Sequence, residues 1–186
     1  MISRDQLATK IQAVGFSCLQ CSTCCREIEE NSNLVMVMPD EIRVIMDNTG
    51  LSWHEIVDPF PYSICSGSCR YTIGWTLKRK SMSCCFLNDH TCQVYSNRPW
   101  ICRTYPFMLD DDNLVIAPCP GIGTKISLNH AYTIAEALLM RKQIEEYEEA
   151  QITNVLSTMI LQENELVIID SDGIKSSSGA VVTPFL

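Results

Sequence analysis

Residues 16–25 read Phe-Ser-Cys-Leu-Gln-Cys-Ser-Thr-Cys-Cys, and this cysteine run organises the first part of the chain. Two residues separate Cys18 from Cys21 and Cys21 from Cys24, and Cys25 follows directly. Such spacing lets successive thiolates converge from a tight turn whose backbone amides can donate hydrogen bonds to sulfur. The run has neither the period of a helix nor the alternation of a strand. Its conformation is therefore predicted to depend on what the thiolates bind.

Iron–sulfur and zinc proteins space their cysteines differently. Three cysteines at a repeated two-residue spacing are similar to the ligand run of bacterial-type cubane clusters, in which a further cysteine precedes a proline. Cys119, which precedes Pro120, is a candidate for that remote ligand. Zinc sites more often use two separated Cys-x-x-Cys pairs. Adjacent Cys24 and Cys25 would be strained on one tetrahedral ion, so we expect them to serve two different centres, or one of them to pack without binding.

The cysteine usage indicates a reducing compartment. The chain has 186 residues, of which 11 are cysteines, and its first 15 residues lack the charged-then-apolar order of an export signal. Without export, disulfides are disfavoured, and the odd number of cysteines would prevent complete internal pairing. We therefore predict a cytoplasmic protein whose cysteines bind metal or act as catalytic thiols.

Charge and hydropathy argue against two kinds of partner. The chain carries 14 Lys and Arg against 22 Asp and Glu, a formal charge of −8. This balance argues against broad nucleic-acid binding, because such binding needs a basic face. No uninterrupted apolar run approaches the roughly 20 residues that span a bilayer, so no membrane insertion is predicted. The sequence does not identify a redox partner or a protein substrate.

A second cysteine group lies between residues 84 and 107. It reads Cys84-Cys-Phe-Leu, then Cys92-x-x-Tyr-x-x-Arg-Pro-x-x-Cys102-Arg-x-Tyr-Pro-Phe. With the first run and Cys119, this pattern resembles the YkgJ-type cysteine-cluster proteins, a family described as zinc- or iron-chelating. Their signature has Cys-x-x-Cys-x-x-Cys-Cys near the start, then Cys-x-Phe-Leu, Cys-x-x-Tyr-x-x-Arg-Pro-x-x-Cys-Arg, an aromatic-Pro-Phe step and a final cysteine. The resemblance extends from about Phe16 to Gly121.

The resemblance implies eight metal ligands, and they are Cys18, Cys21, Cys24, Cys25, Cys84, Cys92, Cys102 and Cys119. Eight thiolates suit two four-cysteine centres, and the sequence leaves open which cysteines share a centre. The expected cofactors are [4Fe-4S] clusters, with zinc as the alternative, because both accept soft thiolate ligands. Arg98 and Arg103 flank Cys102 and are candidates to offset cluster charge, to bind an anionic substrate or to bridge loops.

Three further cysteines fall outside the family pattern. Cys65, Cys69 and Cys85 are either small packing residues or a third site of three thiolates, between the Cys65 loop and the strand that carries Cys85. A cluster held by three cysteines would leave one iron open to substrate, by analogy with catalytic metal sites that keep an open position. His90 is the histidine nearest to the predicted ligands.

The predicted fold class is α+β. We expect a small irregular cysteine-rich metal-binding domain with short strands at residues 1–126, and a helical C-terminal extension packed on it at residues 127–186. Capping signals and periodicity predict helices at residues 4–14 and 39–48, and one or two helices over residues 128–161.

The strand predictions are more local. Residues 70–77 alternate as a strand, and residues 82–87 are predicted to pair with it across a basic tip at residues 78–80. Residues 59–68 are predicted to form a loop, and no internal repeat is evident in the sequence.

Three functions fit this sequence. The preferred one is an iron–sulfur protein with two cysteine-ligated [4Fe-4S]-type centres, for electron transfer or cluster-dependent redox chemistry. The second is a zinc-binding structural or interaction module. The third is an enzyme with an open cluster iron or a reactive thiol, acting in sulfur transfer or protein modification.

Overall fold

The computed structural model describes residues 2–26, 29, 31–66, 69–158, 166–176 and 179–181, and it confirms the mixed α+β class. The helices are α1 (Arg4–Val14), α2 (Pro39–Thr49), α3 (Trp53–Ile56), α4 (Trp100–Thr104) and α5 (Leu128–Thr158), with 3₁₀ turns at Thr23–Cys25 and Tyr95–Asn97. The strands are β1 (Met36–Val37), β2 (Val57–Pro59), β3 (Ile64–Ser66), β4 (Cys69–Ile73), β5 (Trp75–Leu77), β6 (Arg79–Lys80), β7 (Ser83–Cys84), β8 (Leu87–Asn88), β9 (Thr91–Cys92), β10 (Phe107–Asp110), β11 (Asn113–Ile116), β12 (Leu166–Asp170) and β13 (Gly173–Lys175).

The chain divides into two compact units. The first unit comprises Met1–Cys21 and Pro99–Glu146, and the second comprises Ser22–Arg98 and Tyr147–Leu186. The domain boundary expected after residue 126 stays a prediction, and each of these units takes residues from both sides of it.

The first unit is organised around a capped N-terminal helix. The Ser3 hydroxyl accepts a hydrogen bond from the Gln6 amide, and the Gln6 side chain accepts one from the Ser3 amide, so α1 begins where the sequence predicts. Phe107, on the β10–β11 hairpin, is fully buried in the core of this unit. The buried members of this core are Leu7, Ala8, Ile11, Phe107, Ala131, Ala135 and Leu138.

Among its described residues, the second unit contains two larger sheets besides the two-stranded hairpins β6–β7 and β8–β9. In one sheet β5 lies between β1 and β2, and in the other the strand order is β13-β12-β4-β3, with β12 parallel to β4. A parallel pair cannot be joined by a hairpin, so β12 reaches β4 through a long crossover. The buried members of the core are Val37, Ile42, Ile45, Ile56, Val57, Trp75, Leu77, Phe86, Val94 and Ile168.

Three strand predictions need correction. The strand predicted at residues 70–77 is broken at Gly74, whose φ of 77° only glycine adopts readily, and β5 pairs with β1 and β2 instead of residues 82–87. The basic run is not a hairpin tip, because β6 holds its last two residues and the tip consists of Ser81 and Met82, both with positive φ. The predicted loop at residues 59–68 contains β3.

The longest helix is continuous. α5 runs from Leu128 to Thr158 without a break, which decides between the one or two helices expected there. Ala131, Ala135 and Leu138 are its buried residues. None of the helices in the described ranges combines the length and apolar character needed to cross a membrane.

Candidate metal centres

The structure describes the side chains of ten cysteines, and they differ in exposure. Cys18, Cys21 and Cys65 are exposed, and the other seven are half-buried. Within the described part of the chain, no three His, Cys, Asp or Glu side chains are grouped so that they could hold a metal ion. The donors themselves are soft thiols, which suit zinc and iron–sulfur clusters better than hard cations.

Two consecutive hairpins in the second unit present Cys84 and Cys92. β6 pairs with β7 and β8 pairs with β9, and each cysteine is the last residue of its returning strand. The Cys85 amide donates to the Lys78 carbonyl oxygen, and the Gln93 amide donates to the Phe86 carbonyl oxygen, both at 2.9 Å. In each hairpin the acceptor lies seven residues before the donor. The two cysteines therefore occupy equivalent places in two similar hairpins.

The sulfur atoms of these cysteines also have equivalent partners. The Phe86 amide donates a hydrogen bond to the Cys84 sulfur, and the Val94 amide donates one to the Cys92 sulfur. Both donors lie two residues after their cysteine, and their side chains are only 3% and 6% exposed in the core. Amide donation favours the thiolate form of sulfur, the form that binds metal.

Residues 79–86 and 87–94 thus form a structural repeat of eight residues, although the sequence shows no evident repeat. The sequence shows this repeat only weakly. Residues 83–86 read Ser-Cys-Cys-Phe and residues 91–94 read Thr-Cys-Gln-Val, so each has a hydroxyl residue, a cysteine, a variable residue and an apolar residue. Cys85 takes the place that Gln93 takes in the second hairpin. Cys85 therefore does not share the structural position that Cys84 and Cys92 have in common.

The loop that carries Cys24 and Cys25 is attached to both hairpins. Arg26 forms an isolated antiparallel bridge with Ser83, and Cys25 and Cys84 are the chain neighbours of these two residues. The two adjacent sulfur atoms lie 3.9 Å apart in a 3₁₀ turn. The contact brings both thiols within reach of one centre, whereas the sequence predicts two different centres or one cysteine that packs without binding.

Burial and neighbouring thiols raise the pKa values of three cysteines in this unit. The pKa of Cys24 is raised by its hydrogen bond with Cys25 and by burial, and that of Cys84 by its hydrogen bond with Cys85 and by burial. Burial raises the pKa of Cys92, with smaller contributions from nearby Cys84 and Cys24. These thiols must lose protons to bind metal, so a cation is needed to stabilise them as thiolates.

Arg98 supplies positive charge close to these thiols. Its Nε donates to the Tyr95 carbonyl oxygen at 2.9 Å, and its guanidinium lies 3.6 Å from the Tyr95 ring centroid. The charge of Arg98 partly opposes the rise in pKa of Cys24 and Cys92. The role of Arg98 stays a prediction, whether it offsets cluster charge, binds an anionic substrate or bridges loops.

In the first unit, a short antiparallel pairing brings Cys18 towards Cys119. Phe16 pairs with Ile122 through two backbone hydrogen bonds. The Ser17 amide donates to the Gly121 carbonyl oxygen at 3.2 Å, and the Gly123 amide donates to the Gly15 carbonyl oxygen at 3.0 Å. Cys18 follows one strand of this pairing directly. Cys119 shortly precedes the other strand.

Cys102 lies in α4 of the same unit. The hydroxyl of Tyr105, three residues further on, donates to the Pro118 carbonyl oxygen at 2.6 Å, directly before Cys119. This hydrogen bond ties the segment after Cys102 to the segment before Cys119. The guanidinium of Arg103 lies 5.0 Å from the Trp100 ring centroid, a cation–π contact within α4.

The substitution Gly121→Ala is expected to disturb the pairing beside Cys18. A Cβ atom at this position would overlap the Ser17 carbonyl oxygen and lie 3.3 Å from the Phe16 ring, so the backbone must move. We expect a loss of about 1–3 kcal/mol in unfolding free energy and a lower metal content per chain. In Gly123→Ala, the comparison variant, the added Cβ meets nothing within 4 Å, but the φ of 88° is unfavourable for alanine. Some stability is therefore lost there too, but metal content should be retained. Equal metal loss in both variants would show that the close approach at Gly121 is unimportant.

A histidine holds the loop between Cys21 and Cys24. The hydroxyl of Ser22, which is 5% exposed, shares a hydrogen bond of 2.8 Å with His90 Nδ1. The substitution His90→Ala leaves this buried hydroxyl without that partner, at a cost of about 1–3 kcal/mol, and is expected to speed metal transfer to a chelator roughly tenfold or more.

The chain offers a matched control for this measurement. His54 shares a similar hydrogen bond of 3.2 Å with Ser52, but that pair is exposed. His54→Ala should therefore release metal at the wild-type rate. If His90→Ala also behaves like wild type, the Ser22 contact does not hold the metal-binding loop.

The possible third site stays a prediction. Cys65 is exposed on the edge strand β3, and the Cys85 thiol donates to the Ile56 carbonyl oxygen at 3.9 Å beside the core. The side chain of Cys69 lies outside the described residues, although its backbone begins β4. Among the described side chains, neither Cys65 nor Cys85 belongs to a group of three or more His, Cys, Asp or Glu residues that could hold a metal ion.

Comparison with known families agrees with the cysteine arrangement. Residues 17–122 match the model of a family named CxxCxxCC, described as "Putative zinc- or iron-chelating domain". This range contains all eight cysteines that the resemblance assigns as ligands. No curated protein and no solved structure matches the chain.

Proposed function

The chain belongs to the CxxCxxCC family, and on this premise we propose that its thiolates bind two [4Fe-4S]-type clusters for electron transfer or cluster-dependent redox chemistry. Family membership supports zinc or iron binding, and the cluster type and redox role are the proposed refinement. One observation carries the proposal: hydrogen bonds within each unit hold together the segments that bear the family cysteines.

The surroundings of the cysteines suit a redox centre. When bound, a cluster of this type supplies a one-electron couple whose potential depends on hydrogen bonds to sulfur, local charge and solvent exposure. The amides of Phe86 and Val94 would stabilise anionic sulfur, and Arg98 would add positive charge nearby. Exposed Cys18 and Cys21 leave part of the first unit accessible to a redox partner.

One distance favours zinc as the alternative metal. Four sulfurs around zinc at about 2.3 Å lie roughly 3.8 Å from one another in a regular tetrahedron. The 3.9 Å between the sulfurs of Cys24 and Cys25 is close to this edge. A zinc-bound chain would be a structural or interaction module without redox chemistry.

Anaerobic purification followed by metal analysis tests the proposal. Two [4Fe-4S] clusters predict brown protein with about eight irons and about eight acid-labile sulfides per chain. Colourless protein with about two zinc ions would instead support the zinc module. Material with neither metal would contradict both functions. Cys65→Ala is the control, because exposed Cys65 lies outside the family pattern and its loss should leave metal content unchanged.

A further inference from the structure

We propose that each unit holds one complete four-cysteine centre, and this inference rests on the proposed metal binding. The first centre uses Cys18, Cys21, Cys102 and Cys119. The second centre uses Cys24, Cys25, Cys84 and Cys92. The boundary between the units after Cys21 divides the first cysteine run, and the boundary after Arg98 divides the second group. Together, the two boundaries leave four family cysteines in each unit.

In the first unit, three segments meet through hydrogen bonds that involve no cysteine side chain. The pairing of Phe16 with Ile122 joins the segment before Cys18 to the segment after Cys119. The hydrogen bond from Tyr105 to Pro118 joins the segment after Cys102 to the one before Cys119. The fold itself thus directs these cysteines towards one another, and Cys21 follows Cys18 on the same segment.

In the second unit, the two hairpins and the loop at residues 22–26 also meet. The Arg26–Ser83 bridge ties the loop to the first hairpin. The Ser22–His90 hydrogen bond ties it to the second hairpin, and the Arg26 guanidinium donates to the Asp89 carbonyl oxygen at 3.1 Å. Cys24 and Cys25 lie between these attachments. Cys84 and Cys92 lie at the equivalent ends of the two hairpins.

This partition differs from the cubane-like grouping, which is one of the partitions that the sequence leaves open. The cubane-like run would place Cys18, Cys21 and Cys24 on one cluster together with Cys119, whereas the structural partition assigns Cys24 to the other centre. The two partitions give opposite results for particular pairs of substitutions, so a small set of variants decides between them.

Three double variants and one measurement of metal per chain form the test. Cys21→Ala with Cys102→Ala removes two ligands of the first centre, and Cys24→Ala with Cys92→Ala removes two of the second. Each is expected to halve the metal content of anaerobically purified protein. Cys21→Ala with Cys24→Ala damages both centres and is expected to abolish metal binding.

The spacing-based partition predicts the reverse pattern. It would halve the metal in the Cys21 and Cys24 double variant and abolish it in the other two, and that result would overturn the proposal. If wild-type protein contains no metal, the proposed function itself fails, which the same analysis shows before any variant is compared.

Single variants keep the test decisive if a double variant does not fold. Cys21→Ala should accelerate hydrogen exchange at the amides of Ser17 and Gly123 and leave those of Cys85 and Gln93 protected. Cys24→Ala should do the opposite. Acceleration of both amide pairs in both variants would contradict two independent four-cysteine centres.

Discussion

Removing the metal with a chelator under anaerobic conditions is expected to unfold the β6–β7 and β8–β9 hairpins. The expected loss of stability is on the order of 10 kcal/mol per centre, the scale measured for thiolate-bound structural zinc. The reason is that the paired strands of these hairpins are only two residues long. Isolated two-stranded hairpins are marginal in water, so the thiolate–metal bonds are expected to supply most of the local stability.

Apolar packing around the hairpins is limited to a few side chains. Phe86 and Val94 are buried in the core, but Met82, at the tip of the first hairpin, is 56% exposed. The loop that carries Cys24 has a single 3₁₀ turn, at Thr23–Cys25. By contrast, α2 buries Ile42 and Ile45 completely in the same core. Metal loss should therefore disorder the hairpins before it affects α2.

Amide hydrogen exchange measures this difference directly. The amides of Cys85 and Gln93, which close the two hairpins at 2.9 Å, should exchange about 100-fold faster or more after metal removal. The Gly50 amide, bonded to the Met46 carbonyl oxygen at 2.8 Å at the end of α2, serves as the internal control. Unchanged exchange at both hairpin amides would show that the hairpins fold without metal.

Local signals in the sequence predict the helices well. The helices predicted at residues 4–14 and 39–48 correspond to α1 and α2, and α2 begins at Pro39, a residue favoured in the first turn of a helix. The parallel pairing of β12 with β4 is not predicted. That pairing depends on a partner far away in sequence, which no local pattern specifies.

The cysteines show the same limit. Their spacing and the family pattern identify eight candidates, because ligand spacing is a local property. The equivalence of Cys84 and Cys92 is hidden in the sequence, since Cys85 sits beside Cys84 and the strands are too short to show alternation. The division of the first run after Cys21 depends on which distant segments each half contacts, and only the fold supplies that information.

A second large effect is expected for Asp170→Ala, which should lower the unfolding free energy by about 3–5 kcal/mol. The Asp170 carboxylate lies 3.0 Å from Lys175 Nζ, and the two side chains are only 2% and 3% exposed. One carboxylate oxygen also accepts a hydrogen bond from Trp75 Nε1 at 2.7 Å, and the other accepts one from the Asp172 amide at 3.0 Å. Removing the carboxylate leaves a buried ammonium group and two donors without this acceptor.

The groups that remain around the ammonium offset this loss only in part. Lys175 Nζ donates to the Asp172 carboxylate at 2.7 Å and lies 4.4 Å from the Trp53 ring centroid. Asp172 is shared between Lys175 and Arg43, because the Arg43 guanidinium also donates to its carboxylate at 2.7 and 3.2 Å. These hydrogen bonds from Arg43 are the main reason that the pKa of Asp172 is lowered to about 2. Asp172 is therefore already committed to a second cation and cannot replace Asp170.

Chemical denaturation of three variants tests whether the unpaired Lys175 ammonium group, and not substitution in general, causes the loss of stability. Glu136→Ala breaks an exposed ion pair with Arg4, about half exposed on both sides, and should cost no more than about 1 kcal/mol. Asp170→Ala with Lys175→Met removes both buried charges and should be more stable than Asp170→Ala alone, because no buried charge is left uncompensated. Metal content should stay at the wild-type level, since the network contains no cysteine. If the double variant is less stable than the single one, the loss comes from packing at Asp170 and not from the unpaired ammonium group.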